Sequence, residues 1–172
     1  MKELKVNLFN SKKELVAVSI ELSKFNIFIG SDFYNIRTII KSSRLEDPVY
    51  AYGDFGSSNC ISEHKSLVYG FVKHHSNINK IAVIHTDSQF ILYAFNNLIF
   101  NYIVKDKMPA DLRDEMTCKD IMIDPKDIRI YQVENGIVTR IQNKDGLIEH
   151  NCFDSEMNII MDDFYKMIDY YE

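Results

Sequence analysis

Residues Ile81–Phe100, IAVIHTDSQFILYAFNNLIF, decide the fold of this chain. The apolar, β-branched start of this stretch predicts a buried strand that ends at His85. An apolar pattern at helical spacing follows at once, carried by Ile91, Ala94, Phe95, Leu98 and Tyr102. A strand that presents a polar side chain and passes directly into a helix is typical of α/β sites. We therefore expect a polar site at the end of this strand.

The residues before this stretch repeat the same alternation of strand and helix. Phe25–Gly30 reads as a strand ending on a glycine, and a short helix over Tyr34–Ser42 follows it. Val49–Tyr52 is again strand-like, and the apolar residues between 62 and 75 lie at helical spacing. Strand, helix, strand and helix in this order predict a parallel sheet with right-handed crossovers.

Hairpins are predicted near both ends of the chain. The first 22 residues hold two runs that alternate polar and apolar residues around a polar turn. Residues 128–133 and 137–141 are a second such pair, joined by Asn135-Gly136, a dipeptide typical of tight hairpin turns. Met157–Ile168 predicts a terminal amphipathic helix with an acidic outer face. Together these patterns predict one three-layer α/β domain over residues 1–172.

Charge and composition exclude several classes of protein. The chain has 172 residues and a net charge of −5, which argues against a surface built to hold a nucleic acid backbone directly. Its three cysteines show no CxxC spacing, so we expect neither a disulfide framework nor a zinc site, and a reduced, cytoplasmic location. No signal peptide is visible, and the most apolar helix is too short and too rich in asparagine to span a membrane.

The run Val83–Leu98, VIHTDSQFILYAFNNL, carries a resemblance to a known family. It resembles the pattern ITTHSPYILxALNNL of ABC-type ATPase heads in the SMC/RecF-like and OLD-like branch, often called AAA ATPases. Thr86-Asp87 departs from that pattern by one residue. The strand before Gly30, the run Asp124-Pro125-Lys126-Asp127 and the run Asp145-Gly146-Leu147-Ile148 are also similar to that branch. The resemblance implies a P-loop NTPase fold and a site for ATP and Mg²⁺.

The resemblance also shows how the phosphate-binding loop has changed. In the P-loop GxxxxGK[ST], backbone N–H groups and the lysine hold the phosphates and the hydroxyl binds Mg²⁺. Gly30 is retained here, but Asn35, Ile36 and Arg37 stand where the second glycine, the lysine and the hydroxyl belong. Arg37 and Thr38 follow one residue late, and one residue rotates a helical side chain by about 100°. We interpret Gly30, Asn35, Arg37 and Thr38 as a vestigial P-loop.

The acidic strand and the signature subdomain of the family are reduced as well. The family ends its acidic strand with two adjacent acids for Mg²⁺ and the attacking water, whereas Val49–Tyr52 is followed by Gly53-Asp54. Only Ser42–Pro48 separates the P-loop helix from this strand, so the helical subdomain with the signature motif is missing. Two copies of this chain therefore lack the parts of the usual two-head ATP sandwich.

His85 and Asp54 are the relic catalytic positions that the resemblance implies. The family histidine contacts the γ-phosphate, and His85 is its counterpart at the strand end. A structural role fits as well, with His85 as a buried hydrogen-bond partner and Asp87 or Ser88 capping the next helix. We expect no metal site: His64, His74 and His75 read as residues of a solvated helix face, and Asp162-Asp163 as its acidic equivalent near the end.

We therefore predict a degenerate, ATPase-like domain with no catalytic residues and no cofactor, acting through contacts with another protein. It would associate with itself or dock onto an intact ATPase, using the acidic terminal helix with Tyr165, Tyr170 and Tyr171 as a contact surface. One alternative is an active P-loop ATPase with an unorthodox site built from Gly30, Thr38, Asp54 and His85. Another is an accessory factor in DNA repair or phage defence.

Overall fold

The computed structural model describes residues 2–56, 61–116, 118–154 and 157. The terminal helix predicted over 157–168, apart from its first residue, lies outside the described residues, and so do Tyr165, Tyr170 and Tyr171. In chain order, the elements are β1 (Lys2–Phe9), β2 (Leu15–Leu22), β3 (Phe25–Ile29), α1 (Phe33–Arg44), β4 (Val49–Tyr52), α2 (Ile61–Ser76), β5 (Ile81–His85), α3 (Gln89–Val104), α4 (Ala110–Asp114), a short 3-10 helix (Pro125–Asp127), β6 (Ile128–Glu134) and β7 (Ile137–Arg140).

Five strands form one mixed sheet in the order β4-β5-β3-β6-β7. The first four strands are parallel, and β7 pairs with β6 in antiparallel register. β1 and β2 form a separate two-stranded sheet, with Lys2 opposite Leu22 and Phe9 opposite Leu15. The α/β class, the parallel strands and both hairpins predicted from the sequence are confirmed.

Helices and the hairpin cover opposite faces of the five-stranded sheet. Phe25, Ile27 and Ile29 of β3 pack in one apolar cluster with α2 and α3. Phe28, on the alternate face, packs in a second cluster with α1 and the β1–β2 hairpin. The sheet is thus the middle of three layers and is buried on both faces, which explains why β3 is apolar at nearly every position.

After the carboxyl ends of two neighbouring strands, the chain turns to opposite faces of the sheet. β3 leads into α1 on the hairpin face, whereas β5, its direct neighbour, leads into α3 on the other face. Such a switch point opens a crevice at the carboxyl ends of the strands, where α/β proteins bind their ligands. Gly30 and His85 both lie there. Within the described residues, no helix has the length and apolar character needed to cross a membrane.

Candidate functional site

The start of α1 is capped by Asp32. Its carboxylate accepts hydrogen bonds from the backbone N–H of Asn35 at 3.3 Å, from Asn35 Nδ2 at 2.7 Å and from the backbone N–H of Gly136 at 2.9 Å. A helix N-terminus attracts anions because its first N–H groups lack partners within the helix. Here the chain's own carboxylate occupies that position.

Asn35, at the position of the second P-loop glycine, joins the β1–β2 hairpin to α1 by hydrogen bonds. Its side chain is buried and bonds both backbone groups of one residue: Oδ1 accepts from the N–H of Phe9 at 2.8 Å, and Nδ2 donates to the carbonyl of Phe9 at 2.7 Å. Because Nδ2 also donates to Asp32, the amide joins the hairpin, the helix and its cap. Every polar atom of Asn35 is therefore bonded within the protein.

Gly30 has a reason to be glycine that does not involve phosphate. Its φ of +126° lies in a region that L side chains rarely adopt, and a Cβ there would lie 2.4 Å from the carbonyl oxygen of Val133. The glycine lets the end of β3 pass directly against β6. The retained first P-loop residue thus serves the packing of the sheet.

Arg37 and Thr38 take no part in the hydrogen bonds around Asp32 and Asn35. Arg37 is exposed, and the hydroxyl of Thr38 donates to the carbonyl of Tyr34, one turn earlier in the helix, at 3.0 Å. Ile36, Ile39 and Ile40 form the buried side of α1. The structure therefore brings Gly30 and Asn35 to the start of α1 but leaves Arg37 and Thr38 on its outer side.

His85 and Asp54 meet at the carboxyl edge of the sheet. His85 is 4% exposed, and its Nδ1 lies 3.3 Å from Oδ1 of Asp54, whose side chain is 67% exposed. The ring of Phe33 packs edge-on against the imidazole at 5.9 Å between centroids. Nε2 of His85 is buried and has no hydrogen-bond partner within the described residues. In the neutral tautomer that carries its proton on Nδ1, this nitrogen donates to Asp54 and Nε2 can accept a hydrogen bond.

His64 and Ser88 form a second hydrogen-bonded pair close to the carboxyl ends of the strands. The Ser88 hydroxyl donates to Nδ1 of His64 at 2.9 Å, and Nε2 of His64 lies 3.0 Å from the carbonyl oxygen of Gly56. Ser88 also caps α3 by accepting from the N–H of Ile91, so the predicted cap at this position is confirmed. The pair ties the loop after β4 to the starts of α2 and α3.

The prediction that His64 and His75 belong to a solvated helix face is wrong. They are 5% and 3% exposed, respectively, and only His74 faces solvent. His75 stacks on Phe71, and burial lowers the pKa of its imidazole. The sequence carried a usable signal, because both histidines continue the buried helical positions Val68 and Val72 at intervals of three or four residues.

The described residues contain no group of three or more histidine, cysteine, aspartate or glutamate side chains able to hold a metal ion. His64 bonds Ser88 and Gly56 and so does not pair with His74 or His75. Asp162-Asp163 lies outside the described residues.

The chain matches no protein-family model, no curated protein and no solved structure.

Proposed function

We propose that this protein is a degenerate relative of ABC-type ATPase heads that works by binding another protein and does not hold nucleotide at α1. The observation that carries this proposal is the Asp32 carboxylate at the start of the helix. At the start of the helix, the N–H of Asn35 is bonded to this carboxylate, the N–H of Phe33 to the carbonyl of Ser31, and the N–H of Ile36 to the carbonyl of Asp32. The position that holds the phosphate-binding lysine in a P-loop is occupied by Ile36, which is buried.

Electrostatics make nucleotide binding at this place unfavourable. Two unit negative charges about 4 Å apart repel by about 4 kcal/mol near a protein surface, and a terminal phosphate carries more than one charge. A phosphate would also have to break the bonds of Asp32 to Asn35 and Gly136. Binding there would therefore cost both repulsion and the helix cap.

The surface beside the start of α1 supports a protein partner. A groove of about 910 Å³ lies between the β1–β2 turn, the start of α1 and the β6–β7 turn. Tyr34, in its wall, is 65% exposed, and Leu15 and Ile137 on the flanking segments are 62% and 66% exposed. Apolar and aromatic side chains at a polar groove are the composition of protein interfaces.

An active ATPase remains the second candidate, because one observation favours it. The structure joins His85 to Asp54 and leaves Nε2 of His85 without a partner in the described part of the chain. A free imidazole nitrogen at a switch point is suited to accept a proton or to contact a phosphate. In this candidate Gly30, Thr38, Asp54 and His85 would form the site for ATP and Mg²⁺.

Isothermal titration calorimetry with ATP separates the two candidates. We expect no binding that depends on Mg²⁺, in the wild-type protein or in the variant Asp54→Asn. Tight binding that requires Mg²⁺ and weakens in Asp54→Asn would contradict the proposal and favour the active ATPase.

Light scattering tests the form of the protein contact. For a homodimer we expect a dimeric mass that becomes monomeric in Tyr34→Ser, while Arg37→Gln, an exposed change on the same helix, leaves it dimeric. A monomeric wild-type protein contradicts self-association and leaves docking to an intact ATPase as the form to test.

A further inference from the structure

A basic notch lies at the edge of the sheet opposite His85. We define it by the cationic residues Lys126, Arg129, Arg140 and Lys144, which line a cavity of about 380 Å³ together with Asp124 and Asp145. Arg140, the last residue of β7, stands opposite Tyr131 in the middle of β6, and Arg129 is the second residue of β6. The start of β6 pairs with the start of β3, so the notch lies at the amino ends of the parallel strands.

Arg129 places a buried positive charge beneath the notch. The residue is 9% exposed, and its guanidinium donates to the backbone carbonyls of Pro125, Lys126 and Ile128. It also reaches Oε1 of Glu21 at 3.4 Å, on the hairpin side. These bonds fix the guanidinium, so its charge is a permanent part of the cavity wall.

The Arg140 guanidinium is oriented by a hydrogen bond at Nε, and its two terminal nitrogens point away from that bond as a pair of donors. Its Nε donates to Oε1 of Gln142 at 3.1 Å, and the terminal nitrogens make no hydrogen bond to the described residues. Gln142 is itself fixed, because the same oxygen accepts from the N–H of Ile130 and its Nε2 donates to the carbonyl of Gly146 at 2.8 Å. Partial burial, and then the charge of Arg129, lower the pKa of Arg140, while Tyr131 and Glu21 act in the opposite direction.

Two acids line the notch as well, and they offset part of this positive charge. The Asp124 carboxylate accepts from the backbone N–H of Lys126 at 2.9 Å and from the hydroxyl of Tyr102, and the backbone bond lowers its pKa. Asp145 is exposed on the turn beside Lys144. Four cationic and two acidic side chains give the lining a formal charge of +2, and Glu21, which pairs with Arg129 from outside the lining, offsets one of these charges. The whole chain has a net charge of −5.

We propose that the basic notch binds a phosphate monoester group. Such a group carries a charge of about −1.5 to −2 near neutral pH, which is opposite in sign to the lining and larger than the single charge of a phosphodiester. An open arginine fork suits two oxygens of one phosphate, and the lysines add point charges around it. The monoester comes either from a small phosphorylated compound or from a phosphorylated side chain of a protein.

The test is a calorimetric titration with inorganic phosphate at low salt, followed by adenosine monophosphate and a phosphoserine peptide. We expect saturable binding that weakens by about tenfold or more in Arg140→Gln and in Lys144→Gln. Arg37→Gln is the matched control, because Arg37 is exposed on α1 outside the notch, and it should bind as the wild type does.

Three results would overturn the proposal: no saturable binding of any of the three probes, equal weakening in Arg37→Gln, or equally tight binding of acetate. Lys144→Gln changes an exposed turn residue, so the test stands even if Arg140→Gln disturbs folding. Tighter binding of the phosphoserine peptide than of adenosine monophosphate identifies a protein as the source, and the reverse order identifies a small compound. Neither order depends on whether ATP binds at α1.

Discussion

The start of α1 and the basic notch lie at opposite edges of the same sheet, and their polar groups are arranged in opposite ways. At α1, the Asp32 carboxylate takes the place of an anion and is bonded by Asn35 and by the backbone of Gly136. In the notch, Arg140 is fixed by Gln142, yet its fork makes no bond to the described residues. At the first site the polar groups are bonded to each other, and at the second the end of the Arg140 guanidinium has no bond within the described residues.

Under the two proposals, the family resemblance and the binding site belong to different parts of one domain. The resemblance to ATPase heads directs attention to Gly30 and the helix that follows it, but the contacts there all join parts of the protein to each other. The basic notch lies where the resemblance implies no site.

The largest effect is expected where the first P-loop residue packs the sheet. Gly30→Ala places a Cβ 2.4 Å from the Val133 carbonyl at a φ of +126°, and we expect the free energy of unfolding to fall by about 3–5 kcal/mol. Gly53→Ala is the matched control, since nothing lies within 4 Å of its added Cβ, and should cost about 1 kcal/mol or less. Urea denaturation measures both; equal losses would show that Gly30 has no special packing role.

The next largest effect is expected at Asn35, whose side chain joins the β1–β2 hairpin to α1. Asn35→Ala removes both partners of the Phe9 backbone groups and a donor to Asp32, so we expect a loss of about 2–4 kcal/mol. The control Arg37→Ala, two residues along the helix on its exposed side, should stay within about 0.5 kcal/mol. A loss below 1 kcal/mol for Asn35→Ala, against this control, would mean that the hairpin is held by its apolar contacts alone.

A smaller effect is expected at the frame of the notch. Gln142→Ala leaves the N–H of Ile130 without its acceptor and frees both Arg140 and the turn at Gly146. We expect stability to fall by about 1–2 kcal/mol and phosphate affinity to fall with it. Calorimetry under conditions where the variant is folded measures the second part; unchanged affinity would contradict the claim that Gln142 orients Arg140.

The smallest effect is expected at Asp54, the acid next to His85. Asp54→Asn keeps an oxygen for His85 and a residue type that tolerates the φ of +53° at this position. Because the side chain is mostly exposed, we expect stability to change by less than about 0.5 kcal/mol. Thermal denaturation checks this, and a clear loss would show that the charge of Asp54 holds the buried imidazole in place.

Much of the fold follows from patterns within single segments. The β-branched run before His85, the periodic helix after it and the Asn-Gly turn each carry their structure in neighbouring residues. Parallel strands on both sides of a helix then leave few possible arrangements. The parallel strands, both hairpins and a helix cap at Asp87 or Ser88, which the structure assigns to Ser88, were predictable for this reason.

The bonding of the sites was not predictable, because its partners lie far apart in the chain. Asp32 meets Gly136 across 104 residues, and His64 meets Ser88 across 24. A pattern within one helix cannot say that a loop of another segment will supply an acceptor. The basic notch likewise combines the end of β7, the start of β6 and two turns, and none of these is strongly basic alone.

The central claim is that α1 is closed to phosphate and the basic notch is open. Amide chemical-shift mapping of one labelled sample, titrated first with inorganic phosphate and then with ATP and Mg²⁺, tests both halves at once. We predict saturable shifts at the amides around Arg140, Lys144 and Gly146, and none between Gly30 and Arg37. Shifts between Gly30 and Arg37 that require Mg²⁺, with a silent notch, would contradict the account.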